Sequence, residues 1–408
     1  MLRILHVVPS LAPETGGPSM SVRRLALATA EAGNDVTLYT TIWPRREMPP
    51  RHQELNQALG KLTITMFPTV ASTLMARLPH SPSLVKSVRD HCHEFDIIIN
   101  HSLWNPIASS VIRGLRSAGR VYALMPHGML DPVVFRHNRW KKRLWALLWE
   151  RANVEGASLI IFNTVTEEEK ARRCGWLLRR TFVFPHIVDL SEWKNLPSRS
   201  VFEQQFPQLK DREVILYVGR INWVKNLDKL VDSVVLVRHR RPRATLVCIG
   251  PDSDGLRAEI EGHAKAAGLN GHVLFIDLLE GEQLKAAYAR GDVFALVSKK
   301  ENFGLVVAEA LASGLPVVLS EEVDLGKNWA SKGPVRRVPP RPDLIAEALI
   351  DLLERSAIRG LPDIEARTLA QREWDGSRIF SLIDQYRSIL LDVKRRSDRR
   401  KGFFPPKP

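Results

Sequence analysis

Two acids and two cations carry the most specific chemistry in this chain. Glu301 lies in Ser298-Lys299-Lys300-Glu301-Asn302-Phe303-Gly304, where the apolar run Val293–Val297 gives way to an amphipathic stretch, and Glu309 follows eight residues later. A helix starting at that point offers free backbone N–H groups and a partial positive charge, both suited to phosphate oxygens. Gly304 lets a ligand approach the backbone with no Cβ in the way. Glu301 reaches a group lying beyond the phosphates, and Glu309, about two helical turns on, accepts bonds from a ribose. The plainer reading is a pair of solvent-facing acids near a helix start.

The cations lie in Leu216-Tyr217-Val218-Gly219-Arg220-Ile221-Asn222-Trp223-Val224-Lys225-Asn226. A strand ends in Gly219, and Arg220 and Lys225 straddle the loop before the next helical stretch. A diphosphate leaving group gains negative charge as its bond to a sugar breaks, so fixed cations beside it stabilise the transition state. Without a metal, these two would do the neutralising; as bare surface cations they would do little.

Four more places have the residue types for chemistry. Pro13-Glu14-Thr15-Gly16-Gly17-Pro18 is a glycine loop opening onto a helical stretch, though a simple turn explains Gly16 and Gly17 about as well. G-x-G-x-x-G is absent after the first strand, which counts against a dehydrogenase. Met125-Pro126-His127-Gly128 puts His127 at a strand end, where ligands of open sheets bind; a lone loop histidine is more often structural. Asp131, before Pro132, reads mainly as a turn. Asp252-Ser253-Asp254 matches a metal-holding D-x-D pattern but precedes a helical stretch, so it reads as a capping turn. His91-Cys92-His93-Glu94 has no partner pair at zinc spacing.

These residues need elements to hold them. The 408 residues are too many for one comfortable core and suit two domains. Expected strands are Arg3–Val8, Asp35–Thr41, Leu62–Phe67, Phe95–Asn100, Arg120–Met125, Ser158–Phe162 and Thr181–Phe184, with helical stretches such as Ser19–Ala32 and Asn105–Ser117 between them. A linker is expected near Pro185–Gln208. A second series follows: Glu213–Val218, Ala244–Ile249, Val273–Ile276, Val293–Val297 and Pro316–Ser320, separated by helical stretches at Asn226–Arg238, Asp254–Ala267, Gln283–Arg290 and Phe303–Ser313. A last helical stretch runs over about Gly376–Val393. Unbroken apolar runs such as Asp96-Ile97-Ile98-Ile99 fit strands buried on both faces of a parallel sheet. The fold expected is α/β, with two consecutive doubly wound domains.

The formal charge of +14 is partly concentrated. Lys394–Lys401 holds six basic residues and one acid, and Arg136–Arg151 combines six basic residues, one acid and three tryptophans. Either segment suits an anionic membrane surface. The tail reads equally as solvated and disordered. The second segment reads equally as a helix that packs Trp145, Leu148 and Trp149 on the sheet. Nucleic acid is disfavoured, since no aromatic-rich recognition module is evident. Three scattered cysteines, no apolar run long enough to cross a bilayer and no signal-like N-terminus give the expectation of a cytoplasmic protein.

Gly219-Arg220…Lys225-Asn226, then Glu301…Glu309 and Ala310-Leu311-Ala312-Ser313-Gly314-Leu315-Pro316-Val317-Val318, together resemble the retaining family-4 glycosyltransferases of GT-B fold, the group 1 glycosyl transferases. The resemblance covers nearly the whole chain. It implies two Rossmann-like domains facing a cleft: an acceptor domain over 1–190, completed by the 376–393 helix, and a donor domain over 205–372, with 394–408 left as a basic tail. It implies that Glu301 contacts the donor sugar, Glu309 the ribose, and Arg220 and Lys225 the diphosphate, with Gly219, Asn302, Phe303, Gly304 and Leu305 lining the donor. Gly16 and Gly17 resemble the family's Gly-Gly loop, which meets a phosphate or the acceptor, and His127 resembles the histidine that faces the donor sugar.

The expected reaction moves a hexose from a UDP- or GDP-sugar to a glycan, lipid-linked or cell-envelope acceptor, with retention. No cofactor and no metal are expected. Attachment to the inner face of the plasma membrane would fit such an acceptor. The rivals are a nucleotide-sugar epimerase of the same fold and a non-catalytic nucleotide-sugar-binding relative. One departure is the three-acid stretch Ser320-Glu321-Glu322-Val323-Asp324, where relatives are often more neutral; donor or acceptor preference would change with it.

Overall fold

The structure is a computed structural model and describes residues 1–12, 17–42, 62–70, 80–136, 139–327, 329–374 and 376–403. The chain divides into two units, Met1–Ile187 with Ile379–Pro408, and Val188–Arg378.

In the first unit β1 (Arg3–Val7), β2 (Asp35–Ile42), β3 (Leu62–Pro68), β4 (Ile97–His101), β5 (Tyr122–Met125), β6 (Leu159–Phe162) and β7 (Thr181–Val183) form a parallel sheet. Its order is β3-β2-β1-β4-β5-β6-β7. Every residue of β4 is buried, as the run of isoleucines requires when helices cover both faces. Leu84 and Val88 of the Pro82–His91 helix pack into the core with Ile107, Val111 and Ile112 of the Pro106–Ser117 helix. That second helix starts where it does because Asn105 accepts from Ile107 N at 2.8 Å and Pro106 suits the first turn. Another core cluster joins Leu2, Ile4, Leu25 and Ile97 to Ile383, Tyr386, Leu390 and Val393 of the last helix, Gly376–Phe403. This helix extends beyond the expected stretch and takes in the whole basic run Lys394–Lys401, which is therefore helical rather than a disordered tail.

The second unit repeats the plan. β8 (Glu213–Val218), β9 (Ala244–Ile249), β10 (Val273–Ile276), β11 (Val293–Leu296), β12 (Val317–Ser320) and β13 (Val335–Val338) pair in parallel in the order β10-β9-β8-β11-β12-β13. The strand order reverses between β8 and β11, and between β1 and β4 in the first sheet. At such a point the two flanking loops part and leave a crevice beyond the strand ends.

Each expected strand is present, its ends shifted by no more than two residues. β13 and the helices Pro342–Arg359 and Ile364–Glu373 lie beyond the sequence expectation. The expected linker near Pro185–Gln208 is corrected. It contains the helix Arg199–Gln205, anchored by Phe202 at 1% exposure, with Leu209 fully buried just after it. Arg290 ties the segment down. Its guanidinium is 2% exposed and reaches Glu203 at 2.7 Å, Asp292 at 3.1 Å, and the carbonyls of Leu209 and Arg212. Polar composition gave the appearance of a linker, while two apolar anchors and one buried cation decide the outcome.

Arg136–Arg151 is likewise not one simple helix. It breaks into Arg139–Trp145, a wider π-type turn Ala146–Glu150, and Arg151–Glu155. Trp145 and Trp149 stack edge to face at 4.7 Å, and the Trp145 indole N–H reaches Glu150, which is fully buried. Leu148 does not join them: it is exposed, as are Trp140, Leu144 and Leu147.

Candidate active site

The β8 and β11 loops meet at the reversal point of the second sheet. Gly219 ends β8 with φ 153°, and its N–H donates to Ile249 O at 2.9 Å. Gly250 ends β9 beside it, and a Cβ there would lie 2.2 Å from Gly219 O. Two strand ends approach this closely only because both are glycine. The buried Tyr217 hydroxyl donates to Arg220 O at 2.8 Å, which holds the turn after the strand. Asn226 adopts a left-handed conformation at φ 60° and donates from its side chain to Val297 O at 3.1 Å. Lys299 N donates to Val224 O at 2.8 Å. The two loops are thus stitched together by backbone and amide bonds, which fixes the side chains they carry.

Three of those side chains matter. The Arg220 guanidinium is half-buried and makes no ion pair or hydrogen bond to any described residue. The Lys225 ammonium pairs with the Glu301 carboxylate, their side chains 15% and 18% exposed. Glu301 is held by its backbone: its N–H donates to Glu322 O at 3.0 Å, and its carbonyl accepts from Asp324 N at 2.8 Å. The acid-rich stretch after β12 therefore acts as a splint for Glu301. Arg337 of β13 braces that splint by donating to the carbonyls of Glu321, Val323 and Leu325.

Gly304 has φ 72° and precedes the helix Leu305–Ser313, which has no side-chain cap at its start; the leading amides of a helix lie outside its own hydrogen-bond ladder. A Cβ on Gly304 would come within 3.2 Å of Glu301 Cγ. Phe303 is buried, its ring 6.4 Å from that of Trp374, so it anchors the loop from below. Asn302 is half-buried and Leu305 buried. Glu309 is half-buried, and its carboxylate accepts from the Tyr288 hydroxyl at 3.1 Å. Burial, followed by the Glu309 charge, pushes the Tyr288 hydroxyl well above its usual range, so it stays a donor. Neither acid is a freely solvated surface group. Arg220, Lys225, Glu301, Gly304 and Gly219 come together at one crevice, with Glu309 about one turn into the helix that forms its floor.

In the first unit Gly17 opens the helix Gly17–Glu31 with open space around its Cα, while Gly16 lies outside the described residues. His127 follows β5 with φ 50°, and Gly128 after it has φ 79°. The strained pair is held by Glu167, 3% exposed, whose two carboxylate oxygens accept from Gly128 N and Asn163 N. His127 Nε2 lies 3.0 Å from His101 Nδ1, and its Nδ1 is buried. Burial brings the His127 pKa down to about 4 and that of His6 to about 3, and lowers those of His101 and His186 well below the usual histidine value. These rings are neutral at pH 7. His6, His101, Asn163, Glu167 and His186 were not anticipated. The available signal was Asn100-His101, a polar pair closing an otherwise apolar strand.

Asp131 turns inward, accepting from Val133 N at 2.8 Å with Lys170 at 3.4 Å. Asp252 accepts from Leu256 N at 2.9 Å and Arg257 N at 3.1 Å, while Asp254 accepts from Trp223 N at 3.2 Å; both are engaged in turn geometry. His91 pairs with Glu94 at 2.7 Å on an exposed helix end, and Cys92 is buried.

Comparison with known proteins fits this geometry. Residues 198–363 match the model of glycosyl transferases group 1, and residues 16–186 match that of the glycosyl transferase 4-like domain. A D-inositol 3-phosphate glycosyltransferase of Pseudarthrobacter chlorophenolicus is 24% identical over 326 residues, 77% of either chain. Among solved structures, Anabaena HepE in complex with UDP-glucose superposes with a TM-score of 0.74 at 20% identity, covering 95% of this chain and all of that one. WaaG, a glycosyltransferase involved in lipopolysaccharide biosynthesis, gives a TM-score of 0.69 at 17% identity, covering 95% and 99%. With both halves matched in order and a doubly wound parallel sheet in each, the chain belongs to the group 1 glycosyltransferases and has the GT-B fold.

Proposed function

We propose that the chain is a retaining glycosyltransferase that moves a hexose from a nucleotide-diphosphate donor to a lipid-linked or cell-envelope glycan acceptor. The observation that carries this reading is the half-buried Lys225–Glu301 pair beside Arg220, at the crevice floored by the Gly304 helix start. As the anomeric carbon–phosphate oxygen bond breaks, Arg220, Lys225 and the exposed amides take up the charge gathering on the diphosphate. Glu301 orients the sugar and Glu309 the ribose. The acceptor oxygen bonds to the anomeric carbon from the face the phosphate leaves, and its proton passes to the released diphosphate. These fixed groups supply the neutralisation themselves. A UDP donor is favoured because the related Anabaena protein was solved with UDP and with UDP-glucose.

The test is release of nucleotide from a panel of UDP-, GDP- and ADP-sugars with cell lipid as acceptor. Acceptor-dependent release with one donor is the expected result. Epimer formation without acceptor would replace the reading with an epimerase, and no nucleotide binding at all with a non-catalytic relative.

The lipid part of the reading rests on a second observation. Trp140, Leu144, Leu147 and Leu148 recur at helical spacing and are all exposed, with Arg143 exposed among them. No described helix is long and apolar enough to cross a membrane. An apolar stripe rimmed by cations suits the headgroup region of an anionic bilayer on the inner face of the plasma membrane. Burying two large side chains is worth about 1.5–3 kcal/mol each, so Trp140→Ala with Leu147→Ala should weaken vesicle binding at least tenfold. Flotation with vesicles containing phosphatidylglycerol checks this. Absence of salt-sensitive co-flotation by the unaltered protein would end the membrane reading.

A further inference from the structure

Three imidazoles stand in file at the carboxyl end of the first sheet. His6 lies inside β1 and His101 closes β4, both fully buried. His6 Nδ1 is 2.9 Å from His101 Nε2, and His101 Nδ1 is 3.0 Å from His127 Nε2. The rings follow one another at centroid distances of 5.2 and 5.3 Å and nearly parallel planes.

Counting protons constrains this file. A neutral imidazole carries one proton on its two nitrogens, so one donates and the other accepts. Each contact within the file uses one proton and one lone pair. What remains is a single proton and a single lone pair, and they must fall at opposite ends: on His127 Nδ1 and on His6 Nε2. Both atoms are buried with no hydrogen-bond partner of their own. Two arrangements are therefore open, and the neighbours of the two ends choose between them.

The choice is made at Asn163. Its Nδ2 donates to Phe184 O at 3.2 Å, with His186 Nδ1 at 3.4 Å on the same side, so the amide is oriented by its nitrogen. Its Oδ1 is then an acceptor, and it is buried without a partner. Asn163 lies beside His127 through His186, whose ring stacks on His127 at 5.9 Å, so Asn163 Oδ1 and His127 Nδ1 are two buried polar atoms at the same end of the file, each still without a partner. Glu167 fixes this geometry by holding Gly128 N and Asn163 N on its two oxygens. A buried acceptor beside His127 Nδ1 favours the proton at that end.

We propose that His101, backed by His6, is a positioning residue that locks His127 as the neutral Nδ1–H tautomer, with Nε2 occupied as an acceptor and Nδ1 turned to Asn163. In this state Nε2 is committed to His101 and Nδ1 already carries its proton, so His127 takes no proton from a bound hydroxyl. His127 serves as a fixed neutral ring, oriented by the file behind it. Chemistry at this strand end then proceeds without an imidazole acid or base.

The experiment is nitrogen-15 spectroscopy of the full-length chain labelled at histidine, at pH 7.5, with the His127 signals assigned through His127→Gln. The expected spectrum shows His127 protonated at Nδ1 and bare at Nε2. In His101→Phe, which removes the donor to Nε2, the signals should shift toward a mixture of tautomers. His6→Gln perturbs the file from its far end and serves if His101→Phe does not fold. An Nε2–H tautomer or a doubly protonated ring in the unaltered protein overturns the proposal.

The kinetic consequence rests on the transferase reading: His101→Gln should lower kcat roughly tenfold through misplacement of His127, with donor KM held within about twofold. An unaltered protein with no transferase turnover would defeat that reading while the spectrum still decides the tautomer.

Discussion

Lys225→Ala will lower kcat/KM for the donor by roughly 10²–10³, the cost of removing one preorganised group that stabilises developing charge. The loss has two parts. One is the missing cation beside the diphosphate. The other is the Glu301 carboxylate, which loses its partner in a half-buried crevice and then faces the phosphates uncompensated. Two unit charges about 4 Å apart interact by about 4 kcal/mol near a protein surface, so the second part is not small. It also makes a distinctive forecast. Adding Glu301→Gln to Lys225→Ala should restore part of the donor affinity, since the repulsion is gone, yet leave kcat low. Arg220→Ala should lower kcat without that rescue, because its guanidinium has no acidic partner among the described residues. Steady-state kinetics with binding calorimetry separates these outcomes; purely additive effects of the two substitutions would show that the pair is not coupled to the donor.

Arg290→Met is expected to cost roughly 3–5 kcal/mol of stability, the range for removing one member of a buried ionic network. Arg290 is 2% exposed and answers two carboxylates and two carbonyls. Asp292 keeps Arg199 at 2.7 Å and Val214 N at 2.7 Å, but Glu203 and the carbonyls of Leu209 and Arg212 lose their donor. For a unit of this size the loss corresponds to a fall of roughly 10 °C or more in Tm. Arg199→Ala, by contrast, removes a partner that is 39% exposed and should cost no more than about 1 kcal/mol. Thermal unfolding of both variants checks the contrast, and equal shifts would contradict the account of Arg290 as the clasp of this segment.

The sequence carried most of the architecture because buried parallel strands write themselves as apolar runs. β4, β9, β11 and β12 are buried throughout and were readable as such. β13 was not, because Val335-Arg336-Arg337-Val338 is an edge strand with two arginines in its middle. Arg337 is there to brace the acid-rich stretch that holds Glu301, a tertiary reason that no local pattern expresses. The Arg199–Gln205 helix was hidden for a similar cause, since its stability comes from Phe202 and from the distant Arg290 rather than from its own composition.

The site was legible to the extent that chemistry sits next to glycine at strand ends. Arg220, Lys225, Glu301 and Gly304 lie close in sequence to β8 or β11 and meet at the one reversal point of that sheet. The histidine file was not legible. Its members lie in or just beyond three separate strands, and only the parallel register of β1, β4 and β5 brings His6, His101 and His127 into line. That His127 faces the donor sugar is an expectation from its strand-end position and the family resemblance; the ring's own partners, His101 and His6 behind it, were invisible in the sequence.

The most direct measurement is a crystal structure with an unhydrolysed nucleotide-sugar donor bound. The β-phosphate oxygens should lie within hydrogen-bonding distance of Arg220 and Lys225 and face the amides that follow Gly304, with the ribose at Glu309. A donor bound with its phosphates elsewhere, and these two cations still turned away from it, would leave the fold standing and contradict the assigned chemistry.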